Sequence, residues 1–182
     1  MTTAINPSPW YTRLATYKTV HAEYQPTLAA LAHAFLESNS AVIEDLLGGP
    51  PDCITVVPSK RGIGYEEQPL RRALSLVSSI ERKLVHGLSY RTDASYDRQR
   101  YDPSWFQAGH SDCAKLRVLL IEDTWASGAT CLSAAGALLD LGAAAVVALP
   151  LARCVTESFW RDHAPEYLDA AEGRYDPEAW PR

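Results

Sequence analysis

The feature that most constrains the fold is an apolar run that leads directly into two acidic residues and a small polar loop. Residues 118–121 read Val-Leu-Leu-Ile without polar alternation, which is typical of a strand covered on both faces in a parallel sheet. Glu122 and Asp123 follow, and the loop over residues 124–130 reads Thr-Trp-Ala-Ser-Gly-Ala-Thr. Because ligands of parallel sheets bind beyond the carboxyl ends of the strands, we expect both carboxylates at that edge.

The loop after the acids has the composition of an anion site. Residues 127–130 can turn backbone N–H groups and two hydroxyls toward an anion, and the helix that follows places its positive end at the same point. The carboxylates could then hold sugar hydroxyls while the loop holds a phosphate. The alternative is that Glu122 and Asp123 only solvate an ordinary strand-to-helix loop.

This stretch lies inside a predicted βαβ unit. Residues 140–143 read Asp-Leu-Gly-Ala, which ends a helix with a glycine just past its last turn. Residues 145–149 then read as the next buried strand, at the usual spacing of such a unit. We therefore predict an α/β fold whose candidate site lies between a strand and its following helix.

Residues 118–130 resemble the phosphoribosyl pyrophosphate (PRPP) motif of the type I phosphoribosyltransferases, which is a strand, an acidic pair and a Thr/Ser-Gly-x-Thr loop. The resemblance implies a doubly wound, mostly parallel sheet flanked by helices, with a small hood built from the termini. It implies that Glu122 and Asp123 bind the ribose 2′ and 3′ hydroxyls. The 5′-phosphate pocket would be lined by Thr124, Ala126, Ser127, Gly128, Ala129 and Thr130.

A second strand-loop-helix unit is predicted upstream. Residues 54–57 read as a buried strand, and apolar residues spaced over 70–84 predict one long helix. Between them, Ser59, Lys60, Arg61 and Gly62 are similar to the family's pyrophosphate loop, and Lys60 and Arg61 can neutralise a diphosphate. The alternative is that these are surface cations on an exposed turn.

The resemblance implies a Mg²⁺-dependent pentosyltransferase that moves the phosphoribosyl group from PRPP to a nitrogen acceptor, a nucleobase or related compound, and releases pyrophosphate. Glu122, Asp123, Lys60 and Arg61 would be the catalytic residues. Mg²⁺ would be held through PRPP near the acid pair and not in a protein cage. Ala126 stands where 6-oxopurine salvage enzymes carry an aspartate, which argues against that acceptor class. A regulatory module that senses PRPP or a nucleotide, and a fold relative without a PRPP site, are the alternatives.

The segments outside the motifs are assigned more coarsely. Residues 87–115 lose periodicity and become polar and aromatic, so we expect either a lid over PRPP or a solvated loop. Lid candidates are Arg91, Arg98 and Arg100. Two helices are predicted in the N-terminal region, over 26–37 and 42–47. The hood would be formed by residues 1–47 together with 155–182, around a core of about 50–154. Within the family, the chain looks most like the competence-associated phosphoribosyltransferase-like branch, through residues 147–153 and the loop 60–62. The zinc ribbon that is common in that branch is not present in this sequence.

Composition excludes several other classes. The 182 residues fit one domain, and the net charge of −5 argues against a broad nucleic-acid surface. No apolar run approaches the ~20 residues of a membrane helix, and residues 1–10 lack a signal-peptide plan, so the expected location is cytoplasmic. The four cysteines form no Cys-x-x-Cys pair and are expected to be buried thiols. Homodimers are common in the family, and the resemblance extends that expectation to this chain.

Overall fold

The computed structural model of the chain describes residues 2–6, 12, 16–18, 22–60, 63–95, 97 and 100–156, with the backbone alone described for 2–6 and 154–156. The strands are β1 (Thr2–Asn6), β2 (Cys53–Val56), β3 (Leu88–Tyr90), β4 (Phe106–Ala108), β5 (Arg117–Trp125) and β6 (Ala145–Thr156). The helices are α1 (Gln25–Leu47), α2 (Pro69–Leu74), α3 (Ser78–Glu81) and α4 (Ala129–Asp140). Short 3₁₀ turns occupy Ala22–Tyr24, Tyr65–Glu67 and Pro103–Trp105.

Four of these strands form one parallel sheet in the order β1-β6-β5-β2, and β3 pairs with β4 in a separate antiparallel hairpin. Helices pack on both faces of the sheet, which confirms the predicted α/β architecture with a parallel sheet. The outer edge of β2 is covered by an extended segment, since Ile54 N–H donates to Lys83 O at 2.8 Å and Val85 N–H donates to Ile54 O at 2.9 Å.

The side chains of β5 divide the core into two layers. Val118 and Leu120 pack with α4 and the hairpin, whereas Leu119 and Ile121 pack with α1, α2 and α3. All four side chains are at most 1% exposed. The lack of polar alternation in this run therefore reflects a strand that is covered on both sides, as predicted.

The two helices predicted over 26–37 and 42–47 are a single helix, α1, with a kink at Asn39. Asn39 has φ −122° and ψ 16°, and its side-chain amide donates to Phe35 O at 3.0 Å. This bond to the carbonyl four residues earlier lets the chain continue past the kink. The helix packs on the sheet through residues such as Leu28 and Ile43, and β1 pairs with β6. The assignment of residues 1–47 to a hood therefore does not hold for α1 and β1.

The long helix predicted over 70–84 is wrong, because α2 and α3 are separated by a break. Val77 has an extended backbone, with φ −107° and ψ 106°. Leu74, Val77 and Ile80 nevertheless pack in one cluster on the same face of the sheet. The turn between α2 and α3 keeps the apolar residues in the same layer, so their spacing in the sequence is the same as that of a continuous helix.

The segment 87–115 is more regular than predicted, since it contains the β3–β4 hairpin and a 3₁₀ turn. Leu88, Trp105 and Phe106 are buried in the layer that contains α4. Strands of three residues are too short to show a period in the sequence. In the described part of 87–115 the elements are short, in line with the loss of periodicity, but the sequence did not predict the packed hairpin. Among the described residues, no helix has the combination of length and apolar character that crossing a membrane requires.

We predict that Leu120→Ala lowers the free energy of unfolding by about 2–5 kcal/mol, because it leaves a cavity between β5 and α4. The matched control is Leu132→Ala on the outer face of α4, where the side chain is 46% exposed and Leu120 is 0% exposed. Urea denaturation of both variants measures the difference. Equal losses in the two variants would contradict the assigned layers.

Candidate functional site

A cavity opens where β5 continues past the end of β2. Val56 at the end of β2 pairs with Ile121, but β5 continues beside β6 until Trp125 pairs with Arg153. The acids were predicted at the carboxyl end of the apolar strand, and β5 continues past them to Trp125, so that they lie inside a paired strand. Over these residues β5 is paired with β6 on one side only, and the acid pair lines the space left on the other side.

The cavity has a volume of about 410 Å³, in the range of small-molecule sites. It contains seven of the eight residues predicted to bind the sugar phosphate, namely Glu122, Asp123, Thr124, Ala126, Ser127, Gly128 and Thr130. Ala129, the eighth, is buried and is not among the residues that line the cavity. Its backbone N–H donates to Ser127 Oγ at 3.3 Å, which is why it contributes to the loop's shape.

The loop reaches the helix through a glycine that no other residue replaces easily. Gly128 has φ 82° and caps the N-terminus of α4. A Cβ at this position would lie 2.2 Å from Cζ2 of Trp125, so the indole ring packs directly against the turn. Trp125 thus supports the loop from outside the cavity. The N-terminus of a twelve-residue helix faces the same region as the hydroxyls of Ser127 and Thr130.

The two acids point to opposite faces of the sheet, because neighbouring side chains alternate along a strand. Asp123 faces the layer of α1, where it accepts a hydrogen bond of 2.7 Å from the Tyr17 hydroxyl and forms an ion pair with Lys18. Tyr17 is 2% exposed, and burial together with the Asp123 charge raises its pKa well above the usual value. The carboxylate of Asp123 is thus held by a neutral phenol and an ammonium group.

Glu122 faces α4 and has a different environment. Burial, and then the charge of Asp123, raise the pKa of Glu122 to about 8, although a hydrogen bond from the Cys131 thiol and the charges of Lys18 and Lys60 lower it. Burial and the proximity of Glu122 raise the pKa of the Cys131 thiol in turn. At neutral pH the acid pair therefore holds a proton on Glu122, next to a thiol that is fully buried.

The loop after β2 forms the opposite wall of the cavity. Ser59 and Lys60 line it, as the resemblance implied, and Lys60 Nζ lies 6.0 Å from the centroid of the Tyr90 ring. Arg61 and Gly62, the other two predicted pyrophosphate-binding residues, lie outside the described residues. The described part of the loop thus brings one of the two predicted cations into the same cavity as the acids.

A second cavity of about 1130 Å³ adjoins the first, and five residues line both, namely Pro58, Ser59, Lys60, Gln68 and Tyr90. Arg91, one of the lid candidates, lines this second cavity and forms a two-point ion pair with Asp93, at 3.1 Å and 2.8 Å. Arg100 lines neither cavity, and Arg98 lies outside the described residues. The described lid candidates therefore do not reach the first cavity in this conformation.

Four residues with polar side chains that the sequence did not assign to the site also line the first cavity, namely Tyr17, Lys18, Gln68 and Tyr90. Tyr17 and Lys18 belong to a region without periodicity, so no local signal placed them. Gln68 is buried and immediately precedes Pro69 at the start of α2. The proline at the first helical position marks the start of α2. This signal could have identified the residue before it as the point where the loop of the second strand-loop-helix unit enters its helix.

Comparison with known proteins gives no assignment. No protein-family model matches the chain, and no curated protein has a detectably similar sequence. Among the described residues, no group of three or more His, Cys, Asp or Glu side chains is arranged to hold a metal ion. Conclusions about function therefore depend on the geometry and chemistry of the cavity itself.

We predict that Glu122→Gln stabilises the protein at alkaline pH. Folded Glu122 keeps its proton up to about pH 8, whereas an unperturbed glutamate loses it near 4.5. The folded state thus binds more protons between these values, and the Glu122 contribution to the free energy of unfolding falls as pH rises through that window. Above about pH 8 the variant should exceed wild type by on the order of a few kcal/mol.

Urea denaturation at about pH 5 and about pH 8.5 measures this difference, because the two values bracket most of the window. Glu81→Gln is the matched control, since it makes the same substitution at an exposed position on α3. If Glu122→Gln and wild type lose stability in parallel as pH rises, the buried acid is not the group that titrates.

We also predict that Gly128→Ala destabilises the protein more than Gly48→Ala. Both glycines have positive φ, 82° and 72°, so both variants incur backbone strain of about 1–2 kcal/mol. Only at position 128 would the added methyl group overlap another residue, Trp125, because nothing lies within 4 Å of a Cβ at position 48. Thermal unfolding compares the variants, and equal shifts would contradict the packing of the Trp125 ring against the loop.

Proposed function

We propose that the protein is a phosphoribosyltransferase that binds PRPP with Mg²⁺ and transfers its phosphoribosyl group to a nitrogen acceptor. One observation carries the proposal: a single cavity contains an acid pair, a hydroxyl-rich loop at a helix N-terminus, and a lysine from the loop of the neighbouring strand. These are separate recognition elements for a sugar diol, a phosphate and a second anion. PRPP has all three groups on one ribose.

The parts of the cavity correspond to parts of this substrate. The loop of Ser127, Gly128 and Thr130 suits the 5′-phosphate, because backbone N–H groups and hydroxyls there meet the positive end of α4. Asp123 and Glu122 suit the ribose hydroxyls, the former as an acceptor and the latter as a proton donor at neutral pH. Lys60, on the opposite wall, suits the diphosphate.

Catalysis by this arrangement would be electrostatic. As pyrophosphate leaves, positive charge develops on the ribose and negative charge develops on the diphosphate. Protein groups that are fixed near each of these charges therefore lower the barrier. Asp123 would stabilise the ribose cation, and Lys60 the leaving group. Mg²⁺ binds substrate phosphates together with carboxylates, so it would be held mainly by PRPP, with the ionised carboxylate of Asp123 as the nearest protein oxygen donor. The ion would supply further charge neutralisation at the diphosphate.

The proposal extends to the fold of the chain. A four-stranded parallel sheet between helices, with the site at the carboxyl ends of β2 and β5, is compatible with the doubly wound type I phosphoribosyltransferase fold. Tyr17 and Lys18 would then be the part of an N-terminal hood that reaches the ribose. In the predicted C-terminal part of the hood, 155–182, the first two residues belong to β6, and 157–182 lie outside the described residues.

One observation favours a second candidate, a regulatory module that binds PRPP or a nucleotide without turnover. Asp123 is already engaged by Tyr17 and Lys18, so a ribose must share or displace these partners. A residue that changes partners on ligand binding can transmit occupancy to the N-terminal region. Binding and turnover therefore have to be measured separately.

The test is calorimetric titration of PRPP with and without Mg²⁺. We predict saturable binding to wild type and at least tenfold weaker binding to Asp123→Asn, equivalent to about 1.4 kcal/mol. Asp140→Asn, at the exposed end of α4, is the matched control and should bind as wild type does. Absence of a PRPP response in wild type would overturn both candidates and leave a fold relative without this site.

Pyrophosphate release then separates the enzyme from the sensor. A panel of nitrogen acceptors with PRPP and Mg²⁺ should give release in wild type and at least tenfold less in Asp123→Asn. Binding that is lost in Asp123→Asn, together with no release for any acceptor, would support the regulatory module instead.

A further inference from the structure

The second cavity contains a pair of histidines that the proposed transfer reaction does not use. His86 Nδ1 and His110 Nδ1 lie 3.2 Å apart, and both residues line this cavity. The rings meet edge to face, with centroids 4.6 Å apart and planes at 81°. His86 is half-buried and His110 is exposed, so the pair lies where the cavity reaches the surface.

The backbone builds this pair through an extension of the β3–β4 ladder. Gly109 N–H donates to Gly87 O at 3.0 Å, and Ser111 N–H donates to His86 O at 3.0 Å. A Cβ at position 109 would lie 2.1 Å from His86 O, so the approach of the two chains depends on that glycine. The meeting of the two imidazoles is therefore fixed by main-chain hydrogen bonds on both sides.

The ring of His86 is further oriented by its neighbours. Its Nε2 lies 2.9 Å from Ser89 Oγ, and Tyr65 stacks on the ring with a centroid distance of 4.5 Å and an interplanar angle of 9°. When Nε2–H donates to Ser89 Oγ, Nδ1 carries the lone pair that faces His110. A second ring nitrogen that is bound to a neighbouring polar group is the usual arrangement of a metal-ligating histidine.

We propose that His86 and His110 form an open binding site for a divalent metal ion that prefers imidazole nitrogen, such as Zn²⁺. Two nitrogens that each lie about 2.0–2.1 Å from one ion at a tetrahedral angle are separated by about 3.3 Å, close to the observed spacing. The His110 ring would bind as its Nε2–H tautomer. Without metal, the same spacing accommodates one N–H···N hydrogen bond, which is the competing explanation.

The surroundings fit this ion class better than Mg²⁺. Imidazole nitrogen is a common ligand of Zn²⁺, whereas Mg²⁺ prefers oxygen donors. No third His, Cys, Asp or Glu completes a cluster within the described residues, so the remaining coordination positions would be filled by water or by an oxygen or nitrogen donor bound in the cavity. A site with open positions is the form that binds ligands, in contrast to closed structural sites.

The test is calorimetric titration of the untagged full chain with Zn²⁺ in the absence of PRPP, so its outcome does not depend on the proposed transfer reaction. We expect one saturable site in wild type and at least tenfold weaker binding in His110→Ala. His110 is exposed, so this variant should fold, and circular dichroism checks that it does. Ser89→Ala should weaken Zn²⁺ binding by about tenfold through loss of the ring's orientation.

His33→Ala is the matched control, because His33 lies on α1 beside Glu37 and outside the second cavity. It should bind Zn²⁺ as wild type does. Equal Zn²⁺ binding in wild type and His110→Ala, or no saturable binding to wild type at millimolar Zn²⁺, would overturn the site and leave the pair as a hydrogen bond.

Discussion

The candidate site depends on one mismatch in strand length. β2 stops at Val56, opposite Ile121, whereas β5 continues along β6 for four more residues. The acids therefore keep the rigidity of a paired strand on the β6 side and face open space on the other side. A functional group on a paired strand is held more precisely than one on a loop. If β2 and β5 ended together, the acids would belong to a loop.

The same strand geometry gives the two acids separate environments. Because side chains alternate, Glu122 is enclosed by the α4 layer and Asp123 meets Tyr17 and Lys18 on the other face. Two carboxylates in equal surroundings would repel one another and compete for one proton. Here the surroundings decide which acid holds it. An acid pair divided into a proton donor and an acceptor can bind a diol, whose hydroxyls are both donors and acceptors.

The sequence predicted the parts of the site whose residues are adjacent in the chain. The apolar run, the acids and the small-residue loop are adjacent in the chain, and the structure places nearly all of them around one cavity. It did not predict Tyr17, Lys18 or the His86–His110 pair, since contacts across many residues leave no local period. It also joined α2 and α3 into one helix, because the apolar spacing continues across a break that only the backbone reveals. Periodicity indicates which residues are buried and does not show whether the chain turns between them.

The two cavities share part of their lining, and the contact between Lys60 and Tyr90 limits how strongly this shared lining can couple them. Lys60 and Tyr90 line both cavities, and the ammonium group lies 6.0 Å from the ring centroid. A diphosphate in the first cavity would draw Lys60 away from the ring and alter the wall of the second. An exposed cation–π contact contributes about 0.5–1 kcal/mol. Coupling transmitted through this contact alone would change affinity by at most about fivefold, so larger effects require movement of the hairpin itself.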